Sequence, residues 1–153
     1  MELLHTFIQS SIAILAFSAI VAEFRKRSKK GWNVRLYQGI ISHTLQAFVY
    51  SCLPLLALEF VSDERQLWMW CGGVLGLFTL AQGILVLFVD QSSSIKIRLT
   101  MLCLSTLIFL LQLAYIFNLI ESGIGVYLIG IFWHLFQSLV IICMFIVDPD
   151  IDD

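Results

Sequence analysis

Five long apolar stretches dominate this sequence and leave few folds open to it. Each stretch is about twenty residues long, and hydrophobic residues make up 59% of the 153-residue chain. A helix needs roughly 20 apolar residues to cross the ~30 Å hydrocarbon core of a bilayer, so each stretch is long enough to span a membrane. We predict five transmembrane helices, at Leu3–Phe24, Leu36–Leu58, Leu67–Val89, Leu99–Ile120 and Val126–Val147.

The continuity of the stretches favours helices over barrel strands. Lipid offers no hydrogen-bond partner to a free backbone amide, and barrel strands alternate apolar with polar residues, which these stretches do not. The gaps between them are too short for a soluble domain. The chain is therefore predicted to be an all-α integral membrane protein, with residues 1–153 forming one multi-pass bundle in the lipid bilayer.

The basic residues are distributed asymmetrically between the gaps. The first gap holds Arg25, Lys26, Arg27, Lys29, Lys30 and Arg35. The third gap holds Lys96 and Arg98, whereas acidic residues prevail in the second and fourth. Because basic loops stay on the cytoplasmic side, we predict that the N-terminus lies outside and the C-terminus in the cytoplasm.

The basic cluster of the first gap has two interpretations. In the simpler interpretation, the cluster only sets the topology of the chain. In the other, it also binds anionic lipid headgroups. Nucleic-acid binding is not expected, because the cluster is one short loop with a single aromatic residue. Aromatic residues near the outer ends of the spans, Trp68, Trp70 and Tyr127, are expected to lie at the membrane interface.

Small residues form a stripe along the third span. Gly72, Gly76, Thr79 and Gly83 are spaced so that they share one helix face. Such a stripe lets another helix approach closely. The approaching helix belongs either to the same chain or to another protomer, and the many contacts inside a five-helix bundle favour the same chain.

Polar side chains also occur inside the spans. Each span contains at least one glutamine, and the second and fifth spans also contain a histidine well inside the span. These side chains are costly against lipid, so we predict a polar interior or pore lining made of His43, Gln46, Gln82, Gln112, His134 and Gln137. Alternatively, each one forms a hydrogen bond that joins two helices.

Two segments of the chain resemble each other. GIISHTLQAFVY (39–50) and GIFWHLFQSLVI (130–141) share glycine, histidine and glutamine at the same offsets. Histidine and glutamine three residues apart lie on one helix face. Because the two spans run in opposite directions, the pattern suggests an inverted repeat in which His43 and His134 lie on opposite sides of the midplane.

Three functions are compatible with these features. The first is a channel or transport component that forms a homo-oligomer, with the glutamines and histidines lining a polar path. The second is a non-catalytic accessory or assembly protein that binds a membrane partner protein. The third is a b-type haem protein with His43 and His134 as axial ligands, although their predicted separation argues against one shared haem.

Enzymatic activity is not expected. No zinc-binding spacing, phosphate loop or nucleophile elbow occurs in the sequence. We therefore predict no metal site, no catalytic residue and no cofactor, apart from the haem alternative.

The first span and the turn after it resemble a known layout. SIAILAFSAIVAEFRKRSKKGW runs from an apolar helix into the basic turn Phe24-Arg25-Lys26-Arg27, and four further spans with short tails follow. This layout resembles that of small bacterial five-span inner-membrane proteins of unknown function. The resemblance implies a location in the bacterial inner (cytoplasmic) membrane and no particular activity or site.

Overall fold

In the computed structural model, every element of regular secondary structure among the described residues is an α-helix. It describes residues 2–28, 34–89 and 94–147, with side chains at 2–23, 37–88 and 94–144. The helices are α1 (Glu2–Ser28), α2 (Val34–Ala57), α3 (Glu64–Val89), α4 (Ile95–Ile116) and α5 (Gly123–Val147). All five are long and apolar enough to cross a membrane. The predicted class, an all-α chain with five potential membrane-spanning helices, is thereby confirmed.

The start of α3 differs from the prediction because of a cap. The helix begins at Glu64, before the predicted start at Leu67. The Oδ1 atom of Asp63 accepts the backbone N–H of Arg65 at 2.9 Å. A capping carboxylate satisfies one of the amides that a helix start leaves without a partner, so the helix extends beyond its apolar part.

The fourth helix is shifted toward the N-terminus, and the prediction Leu99–Ile120 is wrong at both ends. The Ser94 hydroxyl accepts the Ile97 N–H at 3.4 Å and caps the start of α4. At the other end, Asn118 has φ 62°, a left-handed conformation that ends the helix. This turn lets the Leu119 N–H donate to the Ala114 carbonyl at 2.8 Å.

The helices form two compact units. The first unit contains α1, α2 up to Cys52, and α5 from Ile131 onward, whereas the second runs from Leu53 to Gly130. In the first unit, Ile40 of α2 and Ile142 of α5 are buried, and isoleucine and valine side chains of α1 pack against them. The prediction of a single domain over residues 1–153 stays a prediction.

In the second unit, the small residues of α3 face α4. A Cβ atom built on Gly76 would lie 3.1 Å from Cγ of Gln112, and one built on Gly83 would lie 2.8 Å from Cβ of Ser105. Thr79 is buried on the same face of α3 and donates to the Leu75 carbonyl at 2.8 Å. The stripe of Gly72, Gly76, Thr79 and Gly83 therefore packs within this chain, with its glycines against α4.

Large apolar side chains cover much of the helix surfaces. Phe88 is 71% exposed, and Trp70 is 69% exposed. Such faces suit contact with lipid chains. Trp68 and Tyr127, in contrast, are buried and pack on each other with ring centroids 5.6 Å apart. Both side chains are therefore packed inside the second unit, and their place at the level of the membrane interface stays a prediction.

The basic turn lies outside the described side chains. This applies to the six residues predicted to meet anionic headgroups, Arg25, Lys26, Arg27, Lys29, Lys30 and Arg35. Lipid binding by this turn stays a prediction.

Candidate functional site

The polar groups of the first unit meet where α2 packs against α5. We call this region the α2–α5 seam and define it by the residues in contact across the two helices, His43, Thr44 and Tyr50 of α2 and His134 and Ser138 of α5. We include Gln46 and Gln137 because each follows a histidine by three residues, about one helical turn. The two helices run antiparallel, since Thr44 contacts Ser138 whereas Tyr50, further along α2, contacts the earlier residue His134. Close packing is possible because Gly39 has no side chain: its Cβ would lie 3.2 Å from Cδ1 of Ile141.

The two histidines lie side by side in the seam. Their ring centroids are 6.0 Å apart with an interplanar angle of 32°. The Tyr50 ring lies 5.3 Å from the His134 ring, and His134 itself is fully buried. The wide separation that argued against a shared haem is wrong, because α2 and α5 pack in a register that brings His43 and His134 together. Their position relative to the midplane stays a prediction.

The contact between the histidines joins equivalent positions of the two similar segments. The glycines of those segments, however, have different neighbours. Gly39 faces Ile141 of α5, whereas Gly130 faces Leu75 of α3. The similarity therefore extends to the histidine contact and not to the packing of the glycines, and an inverted repeat stays a prediction.

Two hydroxyl groups join the helices next to the histidines. Thr44 Oγ1 lies 2.9 Å from Ser138 Oγ and 2.7 Å from the Ile40 carbonyl oxygen. Ser138 Oγ in turn lies 3.2 Å from the His134 carbonyl oxygen, to which it can donate. Both side chains are fully buried. These bonds hold α2 and α5 in direct contact at the level of the histidines.

The seam also contains an acceptor with an unmet hydrogen bond. Gln46 Oε1 is buried and has no hydrogen-bond partner among the described residues. An unsatisfied buried acceptor costs about 1–3 kcal/mol, so it calls for a donor from water or from a solute. Gln137 is the glutamine of α5 in this unit, and it is 8% exposed. The seam is thus polar along its length and has at least one free acceptor.

The seam does not fit a haem. A haem with two axial histidines needs a slot for the porphyrin between the two rings. Here the residue next to His43, Thr44, is in hydrogen-bond contact with Ser138 at 2.9 Å, and Tyr50 packs on the His134 ring. These contacts leave no space for a porphyrin between α2 and α5, so the residues present do not support the haem alternative.

Two of the predicted polar residues, Gln82 and Gln112, belong to the second unit. Gln112 of α4 is 2% exposed, and its Nε2 donates to the Val126 carbonyl at 3.0 Å. Gln82 of α3 precedes Gly83, and Gly83 packs against Ser105 of α4. Ser105 lies about two helical turns from Gln112. The structure thus brings His43 close to His134 within the first unit.

Three residues of the seam were not predicted from the sequence. Tyr50 follows His43 by seven positions, a spacing that puts both on one helix face, so periodicity alone points to it. Thr44 and Ser138 carry no such signal, because serine and threonine in a membrane helix usually bond to their own helix. Ser51, which donates to the Ala47 carbonyl at 2.7 Å, shows that behaviour.

Comparisons with known proteins do not assign the chain to a family. No protein-family model matches it, and no match was found among curated proteins or solved structures.

Proposed function

We propose that the protein is a channel or transport component of a cell's cytoplasmic membrane, and that protons or a small polar solute pass along the α2–α5 seam. The observation that carries this proposal is the contact between His43 and His134, with ring centroids 6.0 Å apart inside two apolar spans. Polar and ionisable groups are rare in such spans, and those that occur usually mark a pathway.

The chemistry of the seam suits a proton relay or a polar solute. Imidazole is the side chain whose ordinary pKa allows proton uptake and release near neutral pH. The His134 ring lies beside the His43 ring, and the Tyr50 ring lies beside that of His134, so three side chains that can carry a proton follow one another. The buried oxygen of Gln46 adds an acceptor that water or a solute satisfies.

The proposal includes self-association. Helices packed about 8–10 Å apart fill the centre of their own bundle and leave little lumen. A path on the axis of a ring of identical subunits, lined by the polar residues of each subunit's α2–α5 seam, avoids this limit. Native mass spectrometry of the detergent-purified protein is expected to show a defined oligomer, and a strictly monomeric protein would contradict this part of the proposal.

Flux measurements in reconstituted vesicles test the proposal directly. Wild-type protein is expected to dissipate a pH gradient, or to admit a small polar solute, faster than empty vesicles. His43→Leu and His134→Leu are each expected to lower that flux at least about tenfold, because an apolar side chain interrupts the polar path. His43→Gln separates the two cargoes: it retains a polar group for a solute but cannot relay a proton.

The matched control is His5→Leu, which changes the same residue type at an exposed position of α1. It is expected to transport like wild type. Melting temperatures of all variants show whether a lost flux reflects a lost fold. If wild type is no faster than empty vesicles, or if both seam variants are folded and transport normally, the proposal is wrong.

A non-catalytic accessory or assembly protein is the second candidate. The observation that favours it is that several buried hydroxyls bond only within their own helix, as Ser11 does to the Phe7 carbonyl at 2.8 Å. Hydroxyls used in this way act as small packing residues, which suits close association of helices. This candidate predicts co-purification of a partner membrane protein and no flux above that of empty vesicles.

The proposed orientation places the N-terminus outside the cell and the C-terminus in the cytoplasm. Basic residues at the start of α4, Lys96 and Arg98, then lie on the cytoplasmic side. In a variant with all four cysteines replaced by alanine, an impermeant maleimide is expected to label Ser62→Cys in intact cells. Ile95→Cys should react only after permeabilisation. The reverse pattern would overturn the orientation.

A further inference from the structure

The second unit contains a cleft that the seam does not involve. The cleft has a volume of about 730 Å³ and lies at the membrane face that carries the α2–α3 and α4–α5 loops. The residues that matter for its chemistry are Asp63, Glu64, Arg65, Tyr115, Glu121 and Gly123. We call this region the loop cleft.

The walls of the loop cleft are held in place by specific contacts. The guanidinium of Arg65 donates to the side-chain oxygen of Asn118, the residue whose left-handed backbone ends α4. Glu64 accepts the indole N–H of Trp68 at 3.4 Å. The Arg65 contact thereby ties the first turn of α3 to the loop after α4.

One polar group of the cleft is buried and has an unused hydrogen-bonding capacity. Tyr115 is only 7% exposed and lines the cleft, yet its hydroxyl makes no hydrogen bond to the described residues. Gly123 makes room for it, because a Cβ there would lie 2.7 Å from the Tyr115 hydroxyl oxygen. The Tyr115 ring is buried, whereas its hydroxyl oxygen is not among the enclosed atoms of the described residues and is open to a partner from the cleft.

The cleft offers donors and carboxylates together. The donors are the Tyr115 hydroxyl and the Arg65 guanidinium, which suit a phosphate group. Three carboxylates, on Asp63, Glu64 and Glu121, outnumber the single guanidinium and suit an ammonium group. Because both kinds of group line one cleft at the end of membrane helices, the ligand that fits carries both charges.

We infer that the loop cleft binds a phosphoethanolamine-type zwitterion, either as the headgroup of a phospholipid or as a free molecule. The phosphate lies at Tyr115 and Arg65, and the ammonium lies at the carboxylates. Anionic lipids without an ammonium group bind more weakly, since the excess of carboxylates repels them. The cleft is independent of the polar path proposed for the seam.

Native mass spectrometry of the delipidated full-length protein tests the inference. Wild type is expected to bind one phosphatidylethanolamine about tenfold more tightly than phosphatidylglycerol. Tyr115→Phe removes only the hydroxyl and retains the ring, and it is expected to weaken binding of phosphatidylethanolamine about tenfold. Arg65→Gln is expected to do the same, while its amide retains a donor for Asn118.

The matched controls lie at the opposite ends of the helices. Tyr37→Phe and Arg98→Gln make the same changes there and are expected to leave the affinity unchanged. Competition by free phosphoethanolamine shows that the headgroup alone suffices, whereas its failure to compete assigns the site to the intact lipid. Equal binding of the two lipids, or equal effects of Tyr115→Phe and Tyr37→Phe, would overturn the inference. His43→Leu should leave this binding unchanged, which separates it from the proposed transport.

Discussion

Replacement of Gly83 by alanine is expected to lower the free energy of unfolding by about 1–3 kcal/mol, although alanine is the better helix former. The added Cβ would lie 2.8 Å from Cβ of Ser105 and 3.4 Å from Cα of Leu102. Neither atom is the end of a flexible side chain, so α4 itself must move away from α3. That movement loosens the packing along the stripe of small residues.

Gly73 provides the matched control on the same helix. A Cβ there meets only Cδ1 of Ile116, at 3.9 Å, which is an ordinary contact. Gly73→Ala is therefore expected to stabilise the protein by about 0.5–1 kcal/mol, because it restricts the unfolded chain without a clash. Unfolding followed by circular dichroism in mixed micelles with rising denaturing detergent measures both variants.

A second-site change tests the cause of the effect. Ser105→Gly removes the atoms that the new Cβ would meet, so the double variant Gly83→Ala with Ser105→Gly is expected to recover part of the lost stability. Equal stability of Gly83→Ala and Gly73→Ala would mean that the small residues of α3 do not determine its approach to α4.

The number and approximate position of the helices could be predicted because they depend on span length and hydropathy alone. The helix ends could not, since they depend on side-chain bonds and backbone conformations outside the apolar stretches. Asp63 extends α3 by a cap at 2.9 Å, and Asn118 with φ 62° ends α4 before Ile120. Hydropathy carries no information about either contact.

The seam shows a similar limit. Composition and spacing single out His43 and His134 as unusual residues of their spans, and the structure shows a contact between them at 6.0 Å. The sequence predicted a wide separation between them, because it contains no information about the register in which α2 and α5 pack. The loop cleft was missed for the same reason: Arg65, Tyr115 and Gly123 come together only through tertiary contacts.

Gln112 can be tested for two roles, as a residue that lines a pore and as a residue that joins helices. The first role predicts that its loss lowers flux, and the second predicts that its loss lowers stability. Its Nε2 donates to the Val126 carbonyl of α5 at 3.0 Å, and its side chain fills the space beside Gly72 and Gly76 of α3. One fully buried side chain thus connects three helices of the second unit. Such a residue stabilises packing whether or not a solute passes through the protein.

Gln112→Ala is therefore expected to lower the free energy of unfolding by about 2–4 kcal/mol, from the cavity that it leaves and the lost hydrogen bond. Gln9→Ala makes the same change at an exposed position of α1 and is expected to stay within about 0.5 kcal/mol of wild type. Unfolding in mixed micelles gives both values, and vesicle flux is measured on the same preparations. A normal flux with reduced stability identifies Gln112 as a helix-joining residue. A lost flux at unchanged stability would instead identify it as a residue that lines the path.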